Sequence, residues 1–326
     1  MLELNVISPV LLWTAIAIYA AAFVAYAFDL ARRSQATADA QTVREPVLVG
    51  AGGGAATAAA GAPGASGDAP PQRFVMARIG TSLTVLGFLF HLAATVTRGI
   101  AAGRVPWANL YEFAMIGTLL IIAVYLIVLT RLDLRFLGTF ITGLVVVLLG
   151  LGATNFYVEV SPLMDPLKSV WLIIHVFVAS LATAFFALAF ALSVIQLMQS
   201  RRERLVAEGA DKTGPGFLRT FPGSVRLESL AYMFTIIGFI LWTFTLIAGS
   251  IWAYYAWSRF WGFDVKETWT FVIWVIYAGY IHARATRGWR GNPSAWLAIV
   301  GFSAVIFNFT IVNVFFKGLH AYSGLS

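Results

Sequence analysis

The sequence contains no cysteine and little charge, since charged residues make up 11% of its 326 residues. Without thiols the chain can form no disulfide, no thiolate metal site and no thiol redox centre of its own. Hydrophobic residues make up 60% of the chain and the mean hydropathy is +0.81. This balance excludes a soluble domain and is typical of a polytopic membrane protein. The net charge of +7 does not indicate nucleic-acid binding, because Lys and Arg lie mostly in short connections between apolar runs.

Apolar runs near 20 residues predict an all-α fold, a polytopic transmembrane helical bundle of about eight spans. The first span should remain uncleaved, because MLELNVISPV has no basic n-region and no small-residue cleavage site. We expect a first transmembrane helix in 1–30, a cytoplasmic Ala/Gly/Pro-rich linker in 31–78 and a transmembrane core in 79–326. The predicted spans are roughly 10–29, 79–97, 110–130, 135–152, 170–198, 230–251, 269–283 and 295–316.

The distribution of the 22 Lys and Arg residues predicts the orientation of these spans. If both termini lie outside, six basic residues fall in outer connections and the others fall in inner ones. The six outer residues are Arg98, Arg104, Lys168, Arg259, Lys266 and Lys317. This excess of inner basic residues favours extracytoplasmic termini and an outward position for residues 252–269.

The Trp-rich segment, residues 252–269 with the sequence WAYYAWSRFWGFDVKETW, lies between the sixth and seventh predicted spans. Amphipathic rings belong at the membrane–water boundary, so an aromatic belt that anchors two helices is one interpretation. Belts need few rings, and this density of rings favours a binding surface for a flat, apolar molecule with charged edges. Asp264 fits a helix N-cap with Glu267 at N3, and Lys266 could pair with these acids or contact a carboxylate of the bound molecule.

Four histidines, His91, His175, His282 and His320, are the candidate ligands, although a histidine packed between helices is a competing explanation for each. His175 lies near the outer start of the fifth span, and His320 follows the last span. Both therefore share a level with the Trp-rich segment and could be the two axial ligands of a haem iron. Zinc is the alternative, but a third ligand is not evident at that level apart from a carboxylate. His282 and His91 lie deeper and at different depths, so a second haem between them has weaker support.

The outer start of the third span carries the stretch VPWANLYEF, with Asn109, Tyr111 and Glu112. A carboxylate at a helix N-terminus can simply complement the helix dipole. A docking role for this polar group is the alternative interpretation.

The Trp-rich segment resembles the WWD domain of haem-handling proteins, and specifically the CcsA (ResC) family of System II cytochrome c maturation proteins. Phe263 stands where the family has a Trp, and Val265 stands where a Pro is common. Further likenesses are NLYE at 109–112, WLIIHV around His175, YIHAR around His282 and GLHAYSG around His320. The residues that match the motif of the Trp-rich segment are Trp252, Trp257, Trp261, Asp264, Lys266, Glu267, Thr268 and Trp269.

The resemblance implies a function in cytochrome c biogenesis at the plasma membrane, with a ResB/CcsB-type membrane partner. Haem b, held non-covalently, would pass to an outer site for thioether attachment to the CxxCH motif of apocytochrome c, a holocytochrome c synthase (haem lyase) activity. Thiol-reducing proteins would act indirectly. The iron ligands would be His175 and His320 outside and His282 in the membrane, where the partner supplies the other ligand and His91 is a weaker candidate. Trp252, Trp257, Trp261, Phe263 and Asp264 would contact the haem. The alternatives are a haem exporter without synthase role and a bis-His b-type cytochrome for electron transfer.

Overall fold

The computed structural model describes residues 2–42, 75–160, 163, 165–210, 213–316 and 318–320. Within these ranges the chain folds into α-helices joined by short connections and 3-10 turns, with no strand. The all-α prediction is therefore confirmed. The helices are α1 (Leu2–Thr42), α2 (Val75–Ala102), α3 (Leu110–Leu129), α4 (Gly138–Asn155), α5 (Val170–Ala207), α6 (Ser224–Trp257), α7 (Val265–Ala285), α8 (Asn292–Phe309) and α9 (Ile311–Phe315).

Seven segments of the described chain are long and apolar enough to cross a membrane, which makes this a polytopic membrane protein. They correspond to α1 to α6 and to α8 with α9, which form one segment, Asn292–Phe315. The remaining predicted span is α7, a helix of 21 residues that falls outside this set because polar and charged residues punctuate it. Within the described residues, and with α8 and α9 taken as one, the bundle thus has eight principal helices, of which seven are long and apolar enough to cross a membrane.

Several helices extend beyond the predicted spans. The helix α1 continues to Thr42 rather than ending at residue 30, and most of the predicted linker, 43–74, lies outside the described residues. The helix α6 runs to Trp257 and α7 begins at Val265, so most of the Trp-rich segment is helical rather than a connection. The physical reason is that bilayer thickness limits the apolar run, whereas good helix formers such as Ala, Arg and Gln carry a helix past it.

Helix pairing places α3 and α5 at the centre of the bundle. The helix α5 packs along α6 and also contacts α3 and α8, while α1 packs along α2 and contacts α4. The approach of α5 to α6 depends on Gly238, because a Cβ there would lie 2.7 Å from the Phe186 ring. Phe186 in turn stacks on Tyr277 of α7, with ring centroids 3.7 Å apart. These contacts lie near the middle of α5, α6 and α7 and hold the three helices together there.

Candidate functional site

His175 lies one turn into α5, where it faces α6. Its Nδ1 lies 3.0 Å from the carbonyl oxygen of Thr245. A carbonyl can only accept a hydrogen bond, so Nδ1 carries the proton and Nε2 keeps its lone pair. The imidazole also stacks on Trp252, with centroids 5.9 Å apart and planes 15° apart. The backbone of α6 therefore fixes both the tautomer and the orientation of this histidine.

His320 follows α9 and is held by a side chain instead. Its Nδ1 lies 2.8 Å from Oδ2 of Asp264, which begins α7. The carboxylate also accepts a hydrogen bond from the backbone N–H of Leu319, at 3.0 Å. The hydrogen bond from His320 is the main reason why the pKa of the Asp264 carboxyl lies below its usual range. An ionised Asp264 again assigns the proton to Nδ1, so Nε2 is the nitrogen suited to a metal.

The connection between α6 and α7, residues 258–264, is closed by the capping box that the sequence predicts. Asp264 is the N-cap, and the Glu267 side chain accepts hydrogen bonds from the backbone N–H of Asp264, at 3.2 Å, and of Gly262, at 2.8 Å. The helix α6 ends at Ser258, in the left-handed conformation with φ 57°. Local hydrogen bonds thus fix the position of Asp264, and through it the position of His320.

Two cavities adjoin these histidines. The larger, lined mostly by apolar side chains, extends into the bundle between α3, α5 and α8 and encloses about 1160 Å³, including the solvent at its mouth. The smaller lies against α6 and the 258–264 connection and encloses about 470 Å³ on the same basis. The residues that line both cavities are His175, Thr245, Trp252, Lys266, Thr270 and His320.

Two tryptophans of the Trp-rich segment contact the histidines directly. The centroid of Trp252 lies 5.3 Å from that of His320, so Trp252 contacts both imidazoles. Trp257 meets His320 edge-on at 4.9 Å and Trp252 at 4.8 Å. Trp252 is 2% exposed. These contacts make Trp252 and Trp257 part of the histidine site.

The other predicted aromatic residues lie farther out. Trp261 lines the smaller cavity and packs edge-on against Phe263 and Phe271. Phe263 is 83% exposed and has a positive φ of 56°. A large apolar side chain at this exposure contributes surface rather than core. Trp261 thus forms part of a cavity wall, and Phe263 lies on the surface of the protein.

The structure does not bring His91 and His282 together. His91 is fully buried on α2, where Nδ1 lies 3.4 Å from the Tyr19 hydroxyl. His282 is exposed in the last turn of α7. The main neighbours of α2 are α1, α3 and α4, whereas those of α7 are α6, α8 and α9. These two histidines therefore do not form a ligand pair within the described chain.

The NLYE stretch builds a buried charge cluster. Asn109 caps α3 by accepting from the backbone N–H of Glu112, at 2.9 Å. Glu112 is 0% exposed and receives hydrogen bonds from Arg98, at 3.0 Å, and from Arg104, at 2.7 Å. Arg98 also donates to the Val158 carbonyl, at 2.7 Å. The cluster joins the end of α2 to the start of α3 and to the segment after α4, and its burial leaves Glu112 no surface for docking.

Three polar partners in the site were not predicted from the sequence. The Thr245 carbonyl orients His175 because α5 packs along α6. Asn313 of α9 accepts from Lys266 Nζ, at 2.6 Å. Asn308 donates to the hydroxyl of Thr270, at 3.2 Å. Asn308 and Asn313 are amides inside an apolar run, and that was the available clue to a polar contact within the bundle.

Comparison with known proteins gives a family for most of this bundle. Residues 107–320 match the family described as "Cytochrome C assembly protein", an interval that runs from before α3 to His320. The "Cytochrome c biogenesis protein CcsA" of Guillardia theta is 32% identical over 262 residues, which cover 76% of this chain and 86% of that protein. The protein of the same name from Synechococcus elongatus is 30% identical over 295 residues, covering 79% of this chain and 91% of that one.

Among solved structures, the "Cytochrome c Heme Lyase CcmF" shares the fold with a TM-score of 0.62 at 16% identity. The match covers 94% of this chain and 46% of that longer chain. At this identity the likeness concerns the fold.

Proposed function

Because this chain belongs to the cytochrome c assembly protein family, with CcsA proteins among its relatives, we propose that it presents haem b at one face of the membrane for covalent attachment to apocytochrome c. Haem is then a substrate that the chain holds without a covalent bond. The outer face of the plasma membrane is the proposed side, as the Lys and Arg distribution favours. A ResB-type membrane protein is the proposed partner.

The paired anchoring of His175 and His320 is the observation that carries this proposal. Each imidazole is bound through Nδ1, one by the Thr245 carbonyl and the other by the Asp264 carboxylate. An acceptor on one ring nitrogen raises the basicity of the other and fixes the ring, as it does in metal sites generally. Two neutral imidazoles with Nε2 assigned to the metal are the donor set that a haem iron takes in bis-histidine sites.

The surroundings of the pair suit a porphyrin. Both histidines line a largely apolar cavity, and Trp252 and Trp257 pack against them. An apolar, aromatic wall excludes water and offers flat faces to a ring. The exposed Phe263 and Tyr255 lie in the same segment, where an apocytochrome segment would approach.

The chain contributes positioning rather than thiol chemistry. In the attachment reaction each CxxCH thiol adds across one haem vinyl group, with sulfur bonding to one carbon and hydrogen to the other. This chain has no cysteine, so both thiols come from the apocytochrome, and a separate protein keeps them reduced. Holding haem against two thiols in a fixed geometry is itself a large source of rate.

His282 has a separate proposed role as a haem contact on the way to this site. It lies exposed at the opposite end of α7, and the structure places His91 on another part of the bundle. A second iron ligand opposite His282 would therefore come from the ResB-type partner.

The test is co-expression of the full chain with its ResB-type partner and a reporter apocytochrome. We expect His175→Ala and His320→Ala each to abolish thioether-linked cytochrome, measured by haem staining after denaturing electrophoresis. Phe177→Ala is the matched control, because Phe177 lies one half-turn further along α5 and is 45% exposed. Undiminished covalent haem in either histidine variant would overturn the proposal. Haem movement without thioether product would identify an exporter, and quinol-dependent haem reduction alone would identify a b-type cytochrome.

A further inference from the structure

Lys266 is a cation in the wall of the histidine site. It lies in the first turn of α7 and lines both cavities together with His175 and His320. Its Nζ donates to Oδ1 of Asn313, at 2.6 Å, and lies 5.9 Å from the centre of the Phe113 ring. The ammonium group therefore has one neutral amide and one aromatic face beside it.

The neighbouring acids do not pair directly with this cation, although the charge of Asp264 attracts it. Asp264 is engaged by His320 and by the backbone N–H of Leu319. Glu267 accepts from the backbone N–H groups of Gly262 and Asp264. Across the described ranges Lys266 forms no ion pair. Asp264 and Glu267, the two acids nearest in sequence, instead hold His320 and the 258–264 connection in place.

A cation that faces an apolar cavity without a counter-ion is costly, and such residues within membrane proteins mark substrate sites. A ligand carboxylate would supply the missing negative charge and form an ion pair beside the hydrogen bond to Asn313. Haem b carries two propionates on one edge of the ring and its two vinyl groups away from that edge. Lys266 shares a cavity wall with the two candidate iron ligands, His175 and His320. A cation at this position would bind the propionate edge of the haem and leave the vinyl edge for the thiols.

We propose that Lys266 is the carboxylate-binding residue of this site and that it receives a haem propionate, an inference that rests on the function proposed above. Asn313 then holds the ammonium in place, and the contact selects porphyrins that carry a free carboxylate. Lysine acts here as a point charge, whereas the broader guanidinium of arginine would have to fit the same wall.

The experiment compares haem with haem dimethyl ester, in which both propionates are esterified and uncharged. Full-length protein is purified with its ResB-type partner, and the affinity for each porphyrin is measured by optical titration. We expect the wild type to prefer haem over the ester by about 10- to 100-fold, the range expected for one charge-assisted hydrogen bond. Lys266→Met should lose that preference by weakening haem binding alone, and Lys266→Arg should recover part of it.

Arg259→Met is the matched control, because Arg259 is a cation in the 258–264 connection that lies outside the residues lining either cavity. It should keep the wild-type preference. Equal binding of haem and its ester by the wild type would overturn the inference without any variant. An equal loss of both porphyrins in Lys266→Met would also overturn it, since that result means a structural role.

The design separates this inference from the function on which it rests. If His175→Ala still binds haem with the wild-type spectrum, the histidine site itself is wrong and the proposed function fails. If His175→Ala loses the spectrum while Lys266→Met keeps the preference for haem, the assignment of Lys266 alone fails.

Discussion

Replacing Asp264 tests whether the carboxylate acts on the site through His320. Asp264→Asn keeps a good N-cap, because Asn and Asp are nearly equivalent at that position. Its single oxygen can take the position of Oδ2, where it still accepts from the Lys266 N–H and from His320, but an amide nitrogen then faces the Leu319 N–H. The hydrogen bond to His320, at 2.8 Å, becomes a neutral one. A charged hydrogen bond stabilises by about 1.5–3 kcal/mol and a neutral one by about 0.5–1.5 kcal/mol.

The loss is therefore about 1 kcal/mol at His320, a factor of about 5 to 10 in ligation. Asp264→Ala removes the acceptor altogether and also costs about 1 kcal/mol of capping. We expect haem affinity to fall about 10-fold in Asp264→Asn and about 100-fold in Asp264→Ala, within the range known for outer-shell partners of metal ligands. Optical titration of the purified complex measures both, with Thr268→Ala as the control because Thr268 is exposed on the same turn.

The decisive arm of this test is a double-mutant cycle. If Asp264 acts through His320, then Asp264→Asn should have no further effect on haem affinity in a His320→Ala background. Full additivity of the two changes would refute the reasoning, because it would mean that Asp264 contacts the haem by itself.

Asp264 also gives the site a defined pH dependence. Its pKa is lowered in the folded chain, so the stability that it contributes is present above the unfolded value of about 3.9. That contribution is lost as the pH falls through the lowered folded value. The difference in thermal stability between wild type and Asp264→Asn should therefore shrink as the pH falls below about 4.

Two further changes test the scaffold and the aromatic wall. Glu112→Gln leaves two buried guanidinium groups, those of Arg98 and Arg104, without their carboxylate and should lower the free energy of unfolding by about 3 kcal/mol. The control Glu208→Gln changes an exposed ion pair and should leave the denaturation midpoint unchanged. Equal midpoints for the two variants would contradict a stabilising role of the Glu112 charge cluster. Trp252→Leu removes the ring that contacts both imidazoles and should lower the yield of thioether-linked cytochrome several-fold. The control is Phe244→Leu, at a position on α6 that is 45% exposed and lines neither cavity, and it should not lower the yield. An equal effect of both changes would indicate a general loss of folding.

Local patterns in the sequence predicted local features well. The Asp264 and Glu267 spacing gave the capping box, because a cap is decided within one turn of helix. The eight apolar runs likewise predicted the eight principal helices of the described chain, because the hydropathy of a run is also a local property. The common level of His175 and His320 followed from counting along the spans, since a helix rises evenly along its axis.

Features that depend on helix pairing could not be read from the sequence. The partner of His175 is a backbone carbonyl seventy positions away, and every residue has such a carbonyl. The burial of Glu112 depends on Arg98 arriving from another helix. The extent of α6 was missed for a different reason, because hydropathy reports where the bilayer ends and not where the helix does.

The two histidine anchors differ in the work needed to open them. His175 is bound to the backbone of α6, so its displacement from Thr245 requires α5 and α6 to separate along a packed interface. His320 lies after α9, where the Asp264 carboxylate and the rings of Trp252 and Trp257 hold it rather than a helix interface. Its displacement therefore requires side chains to move but no separation of packed helices, so a competing ligand would meet less resistance at His320 than at His175.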